Sequence, residues 1–141
     1  MIRNLVVVCL SASFTLCLVS AHGAEKHAVD LSKIPPASDK TGVTYATDIK
    51  PILDKSCAKC HGAEKPKGRL RLDILEGALK GGESGKAILP GNSAGSVLVH
   101  NIAQAGHPDE YMPPPRNKAN IPPLTKEQIG LIRAWIDQGA K

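Results

Sequence analysis

The chain has 141 residues, 42% of them hydrophobic and 22% charged, with a formal net charge of +5. That is enough for one modest domain and too apolar for a disordered chain, and it excludes a collagen, a coiled coil and a multi-pass membrane protein. Phe14, Tyr45, Tyr111 and Trp135 are the only aromatic residues, so a core of this size needs a further filler, for which a large prosthetic group is one candidate.

Residues 1–24 read as a secretory signal peptide. Arg3 is the charged start, Leu5 to Val19 is an apolar run, and Ser20, Ala21, Gly23 and Ala24 supply small residues for cleavage. The run is shorter than the roughly 20 residues a membrane span needs, which leaves a retained N-terminal anchor as the alternative. Cleavage removes Arg3, Cys9 and Cys17, so the exported chain keeps only Cys57 and Cys60. A disulfide between cysteines so close in sequence closes a tiny loop and stabilises little, so the pair needs another role.

Residues 25–42 are polar, contain Pro35-Pro36 and show no sustained period, which predicts a flexible leader, with the domain running from 43 to 141. A first helix is expected near Asp48, its N-cap, with Pro51 in the first turn. Tyr45, Ile49, Ile52, Leu53 and either Ser56 or Cys57 follow its helical spacing. Asp73 and Glu76 suggest a capping box for a helix from Asp73 to Lys80, stopped by Gly81. A third helix is expected over Ser93–Ala103, burying Val97, Leu98 and Ile102. The last is the best marked. Thr125 and Gln128 form a capping box, Leu124 and Ile129 a hydrophobic staple, Ile129, Ile132 and Ile136 share a face with Trp135 beside them, and Gly139 ends it. No segment alternates as a strand does, so the expected fold is all-α. The Gly- and Pro-rich stretches between helices are long for a compact domain unless something orders them.

Cys57-Ala58-Lys59-Cys60-His61 is C-x-x-C-H, the attachment signature of c-type haem. Each thiol adds to one haem vinyl group, and His61, next to the second cysteine, presents its imidazole to the iron. A thioredoxin-like dithiol requires a preceding strand, which is absent from the pattern. A zinc site with His100 and His107 requires three to five intervening residues, whereas six lie between them. Haem also answers the shortage of aromatics, because it is itself a large flat apolar body.

Met112, in Tyr111-Met112-Pro113-Pro114-Pro115, is the candidate sixth ligand, held in a loop that successive prolines stiffen. His107, in Gly106-His107-Pro108, is the rival, followed by His100, while His27 falls in the leader. Tyr111 and Arg116 are candidate partners of the haem propionates. Lys50, Lys55, Lys59, Lys65, Lys67, Arg69 and Arg71 surround the motif and suit an acidic redox partner. Nucleic acid is not expected, since aromatic-interleaved basic patches are missing. Gly81-Gly82-Glu83-Ser84-Gly85-Lys86 departs from a phosphate loop at Lys80 and Ala87 and reads as a turn packed on haem.

With these motifs the chain resembles the planctomycete-type cytochrome c domain from Ile49 to Ala140. The resemblance rests on I-K-P-I-L at Ile49 to Leu53, C-A-K-C-H, K-G-R-L-R-L-D at Lys67 to Asp73, and G-G-E-S-G at Gly81 to Gly85. It continues in L-P-G-N-S at Leu89 to Ser93, Met112-Pro113-Pro114, and Ile132 to Ala140. It implies a small all-α, class I-like fold around one haem c on Cys57 and Cys60, with His61 and Met112 as axial ligands. Such domains are often fused to larger ones, and this one stands alone, which favours a free carrier or a separate small subunit. The expected function is a periplasmic, non-enzymatic carrier of single electrons between protein partners, with no stable membrane insertion once the signal is cleaved. The alternatives are a haem enzyme or gas sensor with an open or labile sixth position, and a docking module of a larger complex.

Overall fold

The computed structural model describes residues 28–141; the signal segment, Cys9, Cys17 and His27 lie outside them. The architecture is all-α, as expected. The only β pairing among the described residues is an isolated bridge between Gly82 and Gly85.

The first helix begins before Asp48. Thr44 is extended and its hydroxyl accepts from Thr47 N, so a π-helical turn covers Tyr45–Ile49 and runs into α1, Lys50–Ser56, with Pro51 in its first turn. Asp48 instead turns back, accepting from Thr44 N at 2.9 Å and pairing with Lys40. After Cys57, α2 is a single turn, Ala58–His61. Of the expected stripe Tyr45, Ile49, Leu53 and Cys57 are buried, while Ile52 and Ser56 are only half-buried.

The helix expected from Asp73 starts later, as α3, Leu75–Lys80, without a side-chain cap. Arg71 holds the Asp73 carboxylate with two bonds, at 2.9 and 2.5 Å, and so takes it from the capping box. Gly81, with φ +86°, ends α3 as expected. Likewise α4 is Val97–Ile102, not Ser93–Ala103. Ser93 is diverted to Asp137, to which its N–H and hydroxyl donate at 2.7 and 2.8 Å. Leu98 and Ile102 are buried, but Val97 is 48% exposed.

The last helix, α5, is Lys126–Asp137, with the Thr125–Gln128 capping box formed in both directions. Ile132, Trp135 and Ile136 are fully buried, each such aliphatic side chain contributing about 1.5–3 kcal/mol. Trp135 meets Tyr45 with ring centroids 5.8 Å apart, which joins the N-terminal helices to α5.

Residues 25–42, read from the sequence as a flexible leader, belong to the packed domain over their described part. They form a strap across α5. Ser38 N donates to Gly130 O at 2.9 Å, Gln138 Nε2 to Lys40 O at 2.8 Å, and Arg133 to Pro35 O, while Asp30 N reaches Ala105 O at 2.7 Å. Pro35 is buried. A Cβ on Gly130 would lie 2.9 Å from Pro36 O. In a free helix Gly130→Ala stabilises by about 1 kcal/mol. Here the strap must move, so the variant is expected to be less stable than wild type, as read by urea denaturation; an increase in midpoint would show that the strap does not press on α5.

Candidate haem site

The elbow between α1 and α2 sets the first part of the site. Cys57 closes α1 with φ −126°, and its carbonyl accepts from Cys60 N at 3.0 Å and His61 N at 2.9 Å. One tight turn therefore carries both thiols and the imidazole. Both cysteines are free. Burial pushes the Cys57 thiol up to about 12, the neighbouring Cys60 adding to the effect. A reactive dithiol needs the opposite, a depressed thiol, so the thioredoxin-like alternative has no support here.

His61 is half-buried, and desolvation lowers its pKa, which keeps the imidazole neutral and able to ligate a metal. Its Nδ1 lies 3.3 Å from Leu70 O, and Leu72 N donates to His61 O at 2.7 Å. Donation from Nδ1 to a backbone carbonyl fixes the tautomer with the lone pair on Nε2, as ligating histidines require.

Cys57, Cys60, His61 and Met112 line one cavity of about 520 Å³, within the size range of cofactor sites. Leu70, Leu72, Leu98 and Ile102 supply much of its apolar surface, and Val97, unexpectedly exposed, also faces it. The glycine-rich turn forms part of the wall. Glu83 N donates to Gly68 O at 2.8 Å, and a Cβ on Gly82 would collide with Gly68 O, so the close approach demands glycine there. This brings Lys67, Ser84 and Lys86 to the cavity. Tyr111 and Arg116, the sequence-based candidates for the propionates, do not line it. No spacing rule marks Lys67 and Lys86, which are brought together by the turn.

The Met112 segment is held by main-chain and amide bonds. Met112 N donates to Asn101 O at 3.0 Å. Beyond it, Asn117 staples the loop: Nδ2 donates to Pro114 O and Ile121 O at 2.9 Å, and Oδ1 accepts from Ile121 N at 2.8 Å. The rival histidines lie elsewhere. His100 Nε2 is 2.6 Å from Ala94 O, His107 caps the 3₁₀ turn Pro108–Glu110, and neither lines the cavity. Among the described residues no cluster of three or more His, Cys, Asp or Glu is arranged to hold a metal ion, which removes the zinc alternative.

Of the basic residues near the motif, Lys50 pairs with Asp54 and Arg71 with Asp73. Lys55, Lys59, Lys65, Lys67 and Arg69 are exposed. The residues present fit a haem. Two thiols and a tautomer-fixed imidazole share one turn, and a thioether-bearing residue lines the same apolar cavity.

A family model described as planctomycete cytochrome C matches residues 57–116, from the first motif cysteine to just beyond Met112. No curated protein and no solved structure matches the chain significantly. The staple makes its own prediction. Asn117→Ala is expected to lower stability by about 1–3 kcal/mol and to speed proteolysis within residues 113–121, read by urea denaturation and mass mapping of the fragments.

Proposed function

We propose that the chain is an exported monohaem c-type cytochrome carrying single electrons between protein partners, a reading supported by the match of residues 57–116 to the family described as planctomycete cytochrome C. One observation carries this reading: the C-x-x-C-H turn and Met112, from distant parts of the chain, line the same cavity. Cys57 and Cys60 would hold the group through thioethers. His61, through Nε2, and Met112, through sulfur, would ligate its iron. When bound, haem c supplies an iron that alternates between ferrous and ferric states.

The rest is positioning by the chain. The Leu70 carbonyl orients the His61 ring. Lys67, Ser84 and Lys86 offer charge-assisted and hydroxyl bonds to the haem carboxylates. Leu70, Leu72, Leu98 and Ile102 line the cavity and would keep water from a bound iron, and a dry shell with a thioether ligand favours the reduced state. If His61 and Met112 both ligate the iron, no coordination site would remain for oxygen or peroxide. This supports a carrier over an enzyme or gas sensor.

Export rests on the signal-like residues 1–24 and agrees with haem attachment outside the cytoplasm, which points to the periplasm. Among the described residues no helix is long and apolar enough to cross a membrane. Exposed Lys55, Lys59, Lys65 and Arg69, close to the motif, suit an acidic partner.

The purified holoprotein is expected to be low-spin, and its ferric form to show the near-infrared charge-transfer band of sulfur-to-iron ligation, which Met112→Ala abolishes. A high-spin wild type without that band would put an enzyme or sensor first. The basic surface gives a second test. Reduction by an anionic reagent such as ferrocyanide should slow as ionic strength rises, and a rate independent of salt would remove the steering role.

A further inference from the structure

Leu72 is held at both ends of its main chain. Its N–H donates to His61 O at 2.7 Å, and its carbonyl accepts from the Tyr45 hydroxyl at 3.0 Å, across 27 residues of sequence. Two residues earlier, Leu70 O is the partner of His61 Nδ1 at 3.3 Å. The stretch Leu70–Leu72 belongs to no helix or strand, so no regular ladder fixes it. Its bonds to His61 set the ring and the carbonyl relative to each other, but leave the pair able to shift together. The Tyr45 hydroxyl ties that pair to the core. The Tyr45 ring is buried against Trp135, with centroids 5.8 Å apart, and Trp135 is fully buried on α5. Burial pushes the Tyr45 phenol up to about 12, so it remains a donor at neutral pH. The ring alone would fill the core, whereas the hydroxyl lands on the segment that orients the imidazole.

We propose that Tyr45 is a positioning residue for the histidine ligand: its hydroxyl anchors Leu72 and thereby holds the Leu70 carbonyl on His61 Nδ1–H. This rests on the reading of His61 as an axial ligand. Donation from Nδ1–H to a carbonyl makes the imidazole more basic at Nε2. A more basic ligand favours ferric iron, the more highly charged state, so the brace lowers the midpoint potential. It works against the dry shell and the thioether, which favour the ferrous state. Without the hydroxyl, the buried Leu72 carbonyl loses its donor. An unpaired buried acceptor is costly, so the segment shifts to satisfy it and the bond to Nδ1 weakens.

The test uses the holoprotein and two variants. Tyr45→Phe keeps the ring on Trp135 and removes only the hydroxyl. Thr125→Ala removes the cap of α5, outside the cavity, and serves as a control for lost stability. Proton NMR of the ferrous wild type is read first. If the His61 ring resonances lack the ring-current shift of a haem ligand, the reading of His61 and this proposal fall together. If they are shifted but Nδ1–H exchanges freely with solvent, the brace is overturned and the ligand stands, whether or not a variant loads haem. With Nδ1–H protected, Tyr45→Phe should quicken its exchange and raise the midpoint potential. At a fixed ambient potential the ferrous-to-ferric ratio should rise on the order of three-fold. Thr125→Ala should lose stability with exchange and midpoint unchanged. An unchanged or lowered midpoint in Tyr45→Phe, or an equal shift in both variants, overturns the role of the hydroxyl while leaving His61 as ligand.

Discussion

The orientation of His61 depends on a backbone segment, Leu70–Leu72, that is bonded on two sides. On one side, Leu70 O meets His61 Nδ1 and Leu72 N donates to His61 O. On the other, the Tyr45 hydroxyl donates to Leu72 O at 3.0 Å, and the Tyr45 ring packs against Trp135. The helix that closes the domain therefore acts on the imidazole through one aromatic contact and three hydrogen bonds. Trp135 does not line the cavity; it packs on the first helical segment, and its indole N–H is satisfied by Lys141 O at 3.0 Å. The scarcity of aromatics thus has a counterpart in placement. Two of the few are used to brace the cavity and are not spent on filling it.

The same economy applies to the irregular stretches. Glycine appears where two main chains touch, at Gly82 against Gly68. Asparagine appears where a loop must close on itself, at Asn117. These segments lack helical period, yet backbone groups in them find partners, as Glu83 N does on Gly68 O and Met112 N on Asn101 O. A wall built in this way can present lysines and a serine next to leucines, which a single amphipathic helix face does not readily do.

The parts of this arrangement that could be read from the sequence are those fixed by local chemistry. C-x-x-C-H spans one turn, Thr125 and Gln128 cap each other three residues apart, and Gly81 stops a helix with its positive φ. The parts that could not be read depend on competition at a distance. Asp73 belongs to a plausible capping box until Arg71 folds onto it. Ser93 would start a helix were Asp137, 44 residues away, not beside it. Asp48 yields its capping place to Thr44. The cavity-lining Lys67 and Lys86 were hidden behind the more suggestive Tyr111 and Arg116, because a lysine's surroundings are set by the turn that delivers it.

Towards α5 the strap left no sequence signature, because there it is its main chain that makes the bonds. Its contribution to Gly130, Arg133 and Gln138 comes through Ser38 N and the carbonyls of Pro35 and Lys40. The specificity sits on the α5 side, in an absent Cβ and two long polar side chains. Mutational tolerance across this contact is therefore one-sided. Exposed strap positions such as Lys33 and Asp39 are free to drift in identity, while Gly130, Arg133 and the C-cap Gln138 are constrained by the backbone shape of the segment they hold.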